Sequence, residues 1–226
     1  RMAVKKLVVF DVDGTLIDSQ SHIIEAMLMA FKKYSLDAPS RSDIRSIIGL
    51  SLPEAMIQLY PTGSKTIHQN IIDSYIDNFS LIRKHITYQK PQLFPGILLL
   101  LKELYYSDDY ILGIATGKGC RGLDYVLESN EIKHYFSTIQ TADNHPSKPH
   151  PSMLFSALKD SGVSSKNAVV IGDTTYDMDM GKAAKFKTIG VSWGYHSFEI
   201  MKRNSDIYVA EPQEISMSLK KIFGVN

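Results

Sequence analysis

The chain has 226 residues, 25 Lys plus Arg against 24 Asp plus Glu, and a formal charge of +1. With 44% hydrophobic residues it can build a sizeable core, which excludes intrinsic disorder. The balanced charge argues against a protein that grips nucleic acid or an anionic membrane, and a single cysteine excludes a disulfide-stapled scaffold.

In chain order, Arg1 before Met2 reads as a remnant of an expression vector and is set aside. The apolar run at 7–10 stops at Asp11, too short for a signal peptide. It reads as a strand over 6–10. From 19 to 90 no strand stands out. The pattern predicts helices over 20–35, 41–48, 52–60 and 64–84, punctuated at Pro39, at 49–53 and at 61–63. Such a block is too long for a connection. It reads as a helical domain of residues 19–90 inserted into an α/β core of residues 1–18 plus 91–226. After Pro95 the elements alternate. Helices are expected over 96–106, 120–130, 152–161, 176–185 and 213–223. Strands are expected over 110–115, 168–172 and 188–191, with weaker ones over 137–141 and 206–210. These strands are short and rich in Val and Ile, as for strands buried on both faces of a parallel sheet. The expected fold is α/β: a Rossmann-like open, mainly parallel sheet flanked by helices, with an inserted helical domain. The run at 97–101 is far short of the ~20 residues of a membrane helix, so a soluble cytoplasmic protein is expected.

Four segments carry chemistry. In the first, DVDGTLIDS, Asp11 and Asp13 follow the first strand directly, at the carboxyl end where open parallel sheets bind ligands. Gly14 lets the backbone turn sharply there; an Asp-rich turn is the plain alternative. In the second, IGDTTYDMD, Asp173 follows its strand in the same way, and Asp177 falls in the first turn of a helix, where an acid also suits the helix dipole. If both loops share one sheet edge, carboxylates ~4 Å apart repel by roughly 4 kcal/mol at an effective dielectric of 20. Such a cluster calls for a cation. With oxygen ligands throughout, and a substrate carrying phosphate, Mg²⁺ is the expected ion. In the third, GIATGK, the Thr116 hydroxyl, the Gly117 N–H and a helix N-terminus make an anion cradle, although Thr116 could equally be an N-cap. Lys118 reads as a solvated charge or a substrate contact. In the fourth, SKPHP, Lys148 is stiffened by Pro149 and Pro151, and at the same crevice its ammonium would bind phosphoryl oxygen.

These four segments, in this order and spacing, resemble the four motifs of the haloacid dehalogenase superfamily across essentially the whole chain. The insert resembles the α-helical cap of its phosphoglycolate phosphatase-like branch. Ser152 departs from the acid that many relatives carry there, a difference expected to alter local hydrogen bonding. The resemblance implies that Asp11 attacks phosphorus and forms an aspartyl-phosphate, and that Asp13 is the acid and base. It implies Mg²⁺ held by the Asp11 carboxylate, the Asp13 backbone carbonyl and Asp173, with Asp177 orienting metal waters or Lys148. Thr116, Gly117 and Lys148 would hold the phosphoryl oxygens. The expected substrate is a small phosphorylated metabolite, phosphoglycolate first. A phosphosugar mutase and a non-catalytic phosphate-ester-binding module are the alternatives; a dehalogenase fits less well because Asp13 is present. No nucleic-acid or membrane partner is expected, and the chain reads as a monomer or weak homodimer.

In the cap, Arg45, Gly49 and Ser51 are the specificity candidates, joined by Lys118. Cys120 reads as a bystander and His196 as a hydrogen-bonded surface residue. Trp193 and Tyr195 read as packing, and His145 and His150 are assigned no role.

Overall fold

The computed structural model describes residues 3–224, so Arg1 lies outside the described residues. Its elements in chain order are β1 (Lys6–Phe10), β2 (Ile17–Asp18), α1 (Gln20–Lys33), α2 (Arg41–Ser46), α3 (Leu52–Leu59), α4 (Lys65–Arg83), β3 (Gln92–Leu93), α5 (Ile97–Tyr106) and β4 (Tyr110–Ala115). They continue with α6 (Cys120–Ser129), β5 (Thr138–Gln140), α7 (Ser152–Ser161), β6 (Ala168–Gly172), α8 (Thr175–Ala183), β7 (Lys187–Val191), α9 (Phe198–Asn204), β8 (Ile207–Val209) and α10 (Gln213–Phe223).

Six strands form a parallel sheet in the order β5-β4-β1-β6-β7-β8. Successive side chains of a strand point to opposite faces. Val8, Phe10, Val169 and Ile171 therefore enter one apolar cluster with Leu101, Leu127 and Leu219 from α5, α6 and α10. Leu7, Val9 and Val170 enter the other, with Leu154 and Met180 from α7 and α8. Burial on both faces explains why β1 and β6 read as continuous apolar runs. The Rossmann-like α/β expectation is borne out.

Helices α1–α4 pack around a cluster of their own, built on Met27, Phe31, Ile44, Met56 and Ile71. Ser40 and Ser64 cap α2 and α4 through their hydroxyls. Buried Asn78 donates to the Ala26 carbonyl (2.9 Å) and ties α4 to α1. Where the chain enters and leaves this unit, β2 and β3 pair antiparallel, Ile17 with Leu93 and Asp18 with Gln92. Three short elements were not expected. β2 and β3 have two residues each, too few for any periodicity, and α9 buries only Met201. The helix expected over 41–48 ends at Ser46, and 47–50 turns toward the core.

Candidate active site

The chain starts at β1, steps outward through β4 to β5, then crosses back beside β1 to β6. Adjacent strands whose connections run opposite ways leave a crevice at their carboxyl ends. Asp11 follows β1, Thr116 follows β4 and Asp173 follows β6, so all three converge there. Lys148 arrives from the loop after β5.

Asp11 is buried, and its Oδ1 accepts from the Val12 N–H (2.8 Å) and from Lys148 Nζ (2.9 Å). Its Oδ2 is buried with no hydrogen-bond partner among the described residues. Lys148 also donates to Asp177 Oδ1 (2.7 Å), and the lysine side chain is fully buried. Lys148 thus stands at the crevice, as expected from SKPHP. Burial works against its ammonium, but the charges of Asp11 and Asp177 outweigh it and raise the pKa above the usual lysine value. Asp177 is held as the N3 residue of a capping box. Its Oδ2 accepts from the Thr174 N–H (3.2 Å) and hydroxyl (2.8 Å), and its own N–H returns to Thr174 Oγ1. The helix-start reading of Asp177 and its contact with Lys148 thus coexist.

Asp173 Oδ1 accepts from the Thr15 hydroxyl (3.0 Å) and Oδ2 from the Tyr195 N–H (2.9 Å). Burial above all, then the charge of Asp177, pushes its pKa up to about 7. Burial likewise raises Asp11 well above the carboxylate range, with Asp177 and Asp173 adding to it and Lys148 opposing. One oxygen each from Asp11, Asp173 and Asp177 can be chosen within 4.8 Å of the others. The donors are all hard oxygens. Asp177 is already satisfied by Lys148 and Thr174, whereas Asp11 Oδ2 is not. Asp11 and Asp173 therefore fit a small hard cation.

Asp13 faces elsewhere. Ser19 Oγ donates to its Oδ1 (2.6 Å), and Lys118 Nζ lies 3.3 Å from Oδ2. Lys118 is thus ion-paired with Asp13, a correction to its reading as a solvated charge. Thr116 is buried, and its hydroxyl accepts the Lys118 N–H (3.1 Å). The α6 N-cap is Gly119 rather than Thr116, and the Cys120 N–H at that helix start is taken by Asp143 (2.8 Å). The cradle at this loop is therefore the Thr116–Gly117 turn without the helix end.

Gly14 has φ +87°, and a Cβ there would overlap the Asp173 carboxylate. Gly14→Ala is expected to lower unfolding free energy by about 1–3 kcal/mol, measured by urea titration, and to reduce turnover with it. Wild-type stability in this variant would contradict the packing of Gly14 on Asp173.

Residues 46–51 of the helical unit dock on the core. The Ser46 carbonyl accepts from the Tyr176 hydroxyl (2.8 Å) and contacts His196 Nε2 (2.9 Å), whose Nδ1 accepts the Thr175 N–H (3.1 Å). The Ser51 N–H donates to Ser147 Oγ (3.0 Å). Gly117 approaches Gly49 so closely that a Cβ would overlap the Gly49 carbonyl oxygen. Gly49, Ser51 and Lys118 line the cavity over the crevice. Arg45 does not: it is exposed on the outer side of α2.

Several supporting residues escaped the sequence. Thr15 and Ser19 lie within or beside DVDGT but were assigned no role. Tyr195, read as packing, accepts the Ser19 N–H on its hydroxyl (3.0 Å) besides binding Asp173. Trp193 donates to the Thr15 carbonyl (2.9 Å). His145 bridges Ser152 and Gln140 at 2.8 Å each, so Ser152 does serve local hydrogen bonding. Cys120 is exposed, and its Sγ lies 3.6 Å from Thr141 Oγ1.

Residues 8–191 match the model of the haloacid dehalogenase-like hydrolase family. A relative from Dickeya dadantii, named "Probable phosphatase IndB", is 34% identical over 97% of this chain and 93% of its own. A phosphoglycolate phosphatase from Vibrio cholerae is 27% identical, covering 93% and 92%. Among solved structures, a haloacid dehalogenase-like hydrolase from Streptococcus pneumoniae superposes with a TM-score of 0.81 at 26% identity, over 95% of this chain and 98% of that one. The sheet, the carboxylate crevice and these matches define a phosphoric monoester hydrolase on a Rossmann-like core. The chain belongs to the haloacid dehalogenase-like hydrolase family. Among the described residues no helix is long and apolar enough to cross a membrane.

Proposed function

We propose that the chain is a Mg²⁺-dependent phosphatase that hydrolyses a small phosphate monoester through a covalent intermediate on Asp11. One observation carries the reading: Asp11 Oδ2 is buried, has no hydrogen-bond partner among the described residues, and stands at the sheet crevice with Lys148 fixing the other oxygen. Residues 19–90 act as a cap that closes over the crevice, and 1–18 with 91–226 form the catalytic core.

Asp11 attacks phosphorus, and an Asp11–phosphorus bond forms as the ester oxygen leaves. Asp13, oriented by Ser19, protonates that oxygen. Asp13 then takes a proton from water, which attacks phosphorus, releases phosphate and restores Asp11. The Thr116 hydroxyl, the Gly117 N–H and Lys148 hold the phosphoryl oxygens as charge shifts among them. Asp177 keeps Lys148 aimed. Asp11, the Asp13 backbone carbonyl and Asp173 would hold Mg²⁺. When bound, the ion supplies positive charge that offsets repulsion between the nucleophile and the phosphate. Relatives named phosphoglycolate phosphatase make phosphoglycolate the first ester to assay. Phosphate release that requires Mg²⁺ and stops with a chelator tests the reading. Isomerised sugar phosphate in place of free phosphate would favour the mutase alternative.

The Asp173 shift gives a pH dependence. In the metal-free fold this carboxyl keeps its proton up to about pH 7, whereas an unfolded chain releases it near 4. Between those values the fold binds more protons than the unfolded chain, so metal-free stability falls as pH rises through that window. Asp173, holding Mg²⁺, would give up that proton. The rise in Tm on adding Mg²⁺ is therefore expected to be larger at pH 8 than at pH 5.5. An equal or smaller rise at pH 8 would contradict this assignment.

A further inference from the structure

The cap and core enclose a cavity of about 820 Å³ above Asp11 and Asp13. That is room for a ligand of drug-like size. Phosphate plus a two-carbon alcohol would leave most of it empty.

One wall is a single face of α4. Ile72, Tyr75, Phe79 and Arg83 recur at intervals of three and four residues and all line the cavity. The face has a direction. Tyr75, one turn before Phe79 on this face, lines the same cavity as Asp13. Phe79 lies under Lys118, 5.9 Å from Nζ to ring centre, and Lys118 is the partner of Asp13. Arg83 is eight residues beyond Tyr75, about 12 Å along the helix axis. The apolar lining also includes Ile48 and Leu50 from the turn docked on the core, and Met27 from α1.

The middle of the cavity is thus apolar and ring-lined, and its distant end is polar. There the Arg83 guanidinium stacks on the Tyr125 ring, 3.6 Å from its centre. The Tyr125 and Tyr88 hydroxyls are 2.8 Å apart, and His22 stacks on Tyr88 at 5.2 Å. The cations among the described lining residues are Lys118, Arg83 and Arg121. Lys118 is committed to Asp13, and Arg121 is exposed. With Lys118 paired to Asp13, no cation among the described lining residues beside the crevice is left to neutralise a carboxylate two carbons from the phosphate.

We infer that the ester hydrolysed at this site carries a leaving group with a flat, largely apolar, ring-sized body and a hydrogen-bond acceptor at its far end, received by Arg83. This rests on the phosphatase reading and names the substrate class of that same site. Phe79 and Ile72 would pack on the ring while Tyr75 stands over the ester oxygen. Arg83, held flat on Tyr125, presents its N–H edge to a carbonyl or ring acceptor.

The test compares kcat/KM of the full chain, with Mg²⁺, for phosphoglycolate, 2-phenylethyl phosphate and 2-(4-acetylphenyl)ethyl phosphate. Both ring-bearing esters are expected to exceed phosphoglycolate by tenfold or more, and the one with the carbonyl acceptor to rank first. Phe79→Lys, checked for folding by its Tm, is expected to raise phosphoglycolate turnover and to lower that of both ring-bearing esters. Phosphoglycolate turned over as well as or better than both ring-bearing esters by wild type would overturn the inference and leave the phosphatase reading standing. Should Phe79→Lys fail to fold, the wild-type ranking alone decides. Absence of Mg²⁺-dependent phosphate release from all three would overturn the reading and the inference together.

Discussion

Asp11→Asn is expected to lose activity by about 10⁴-fold or more, with no loss of stability in the metal-free protein. The two effects have separate origins. Asparagine keeps the shape and can still accept from Lys148, but its amide is too weak a nucleophile to form the acyl-phosphate. The stability effect follows from burial. Burial, with Asp177 and Asp173 nearby, raises the Asp11 pKa well above the carboxylate range, so the fold disfavours the ionised form. A neutral side chain removes that cost. Phosphate release and thermal unfolding in chelator are the two measurements. Activity near wild type, with reversion excluded, would remove Asp11 as nucleophile. A Tm well below wild type would show that the Lys148 contact outweighs the cost of burial.

Lys148→Met is expected to act in the opposite sense on stability. Lys148 is the only ammonium shared by Asp11 and Asp177 among the described residues, at 2.9 and 2.7 Å, and all three side chains are buried. Methionine fills much of the space but leaves two carboxylates without their counter-charge. Breaking a buried pair by deleting one partner costs about 3–5 kcal/mol. The loss should fall toward the lower end, because Asp177 keeps Thr174 and Asp11 keeps the Val12 N–H. Turnover should drop by about 10²–10³-fold, the scale of one transition-state donor. Added Mg²⁺ should restore part of the stability and little of the turnover, since it replaces charge but does not replace the contact with phosphate. Urea unfolding with and without Mg²⁺ separates these effects. A variant as stable as wild type would mean that the carboxylates share a proton instead.

What the sequence made legible and what it hid divide by range of contact. Asp11, Asp13 and Asp173 stood out because each follows a short apolar strand, and a parallel sheet puts such residues at one edge. Asp177 stood out as a helix-start acid, and Gly14 as a turn. The partners that hold these groups did not. Thr15 meets Asp173 across 158 positions and Tyr195 meets Ser19 across 176. Nothing local marks such a contact, so Tyr195 and Trp193 looked like packing. Lys118 looked solvated because its partner, Asp13, lies 105 positions away. Arg45 failed for a different reason. Helical spacing placed it on α2 but could not say which side of α2 meets the core, and that side carries Ile44. The short elements β2, β3 and α9 were invisible because periodicity needs more residues than they have. The direction of the cavity along α4 was equally hidden, although Ile72, Tyr75 and Phe79 were all within a helix that the sequence revealed.

The covalent step can be observed directly. In Asp13→Ala the second step lacks its base, while 4-nitrophenyl phosphate has a leaving group that needs no proton. Mixing the two with Mg²⁺ should give a burst of nitrophenolate approaching one per protein, followed by slow turnover. Acid quench and borohydride reduction of that sample should convert residue 11, and no other aspartate, to homoserine, read by peptide mass spectrometry. Steady nitrophenolate release without a burst, together with unmodified Asp11, would contradict nucleophilic catalysis by this residue.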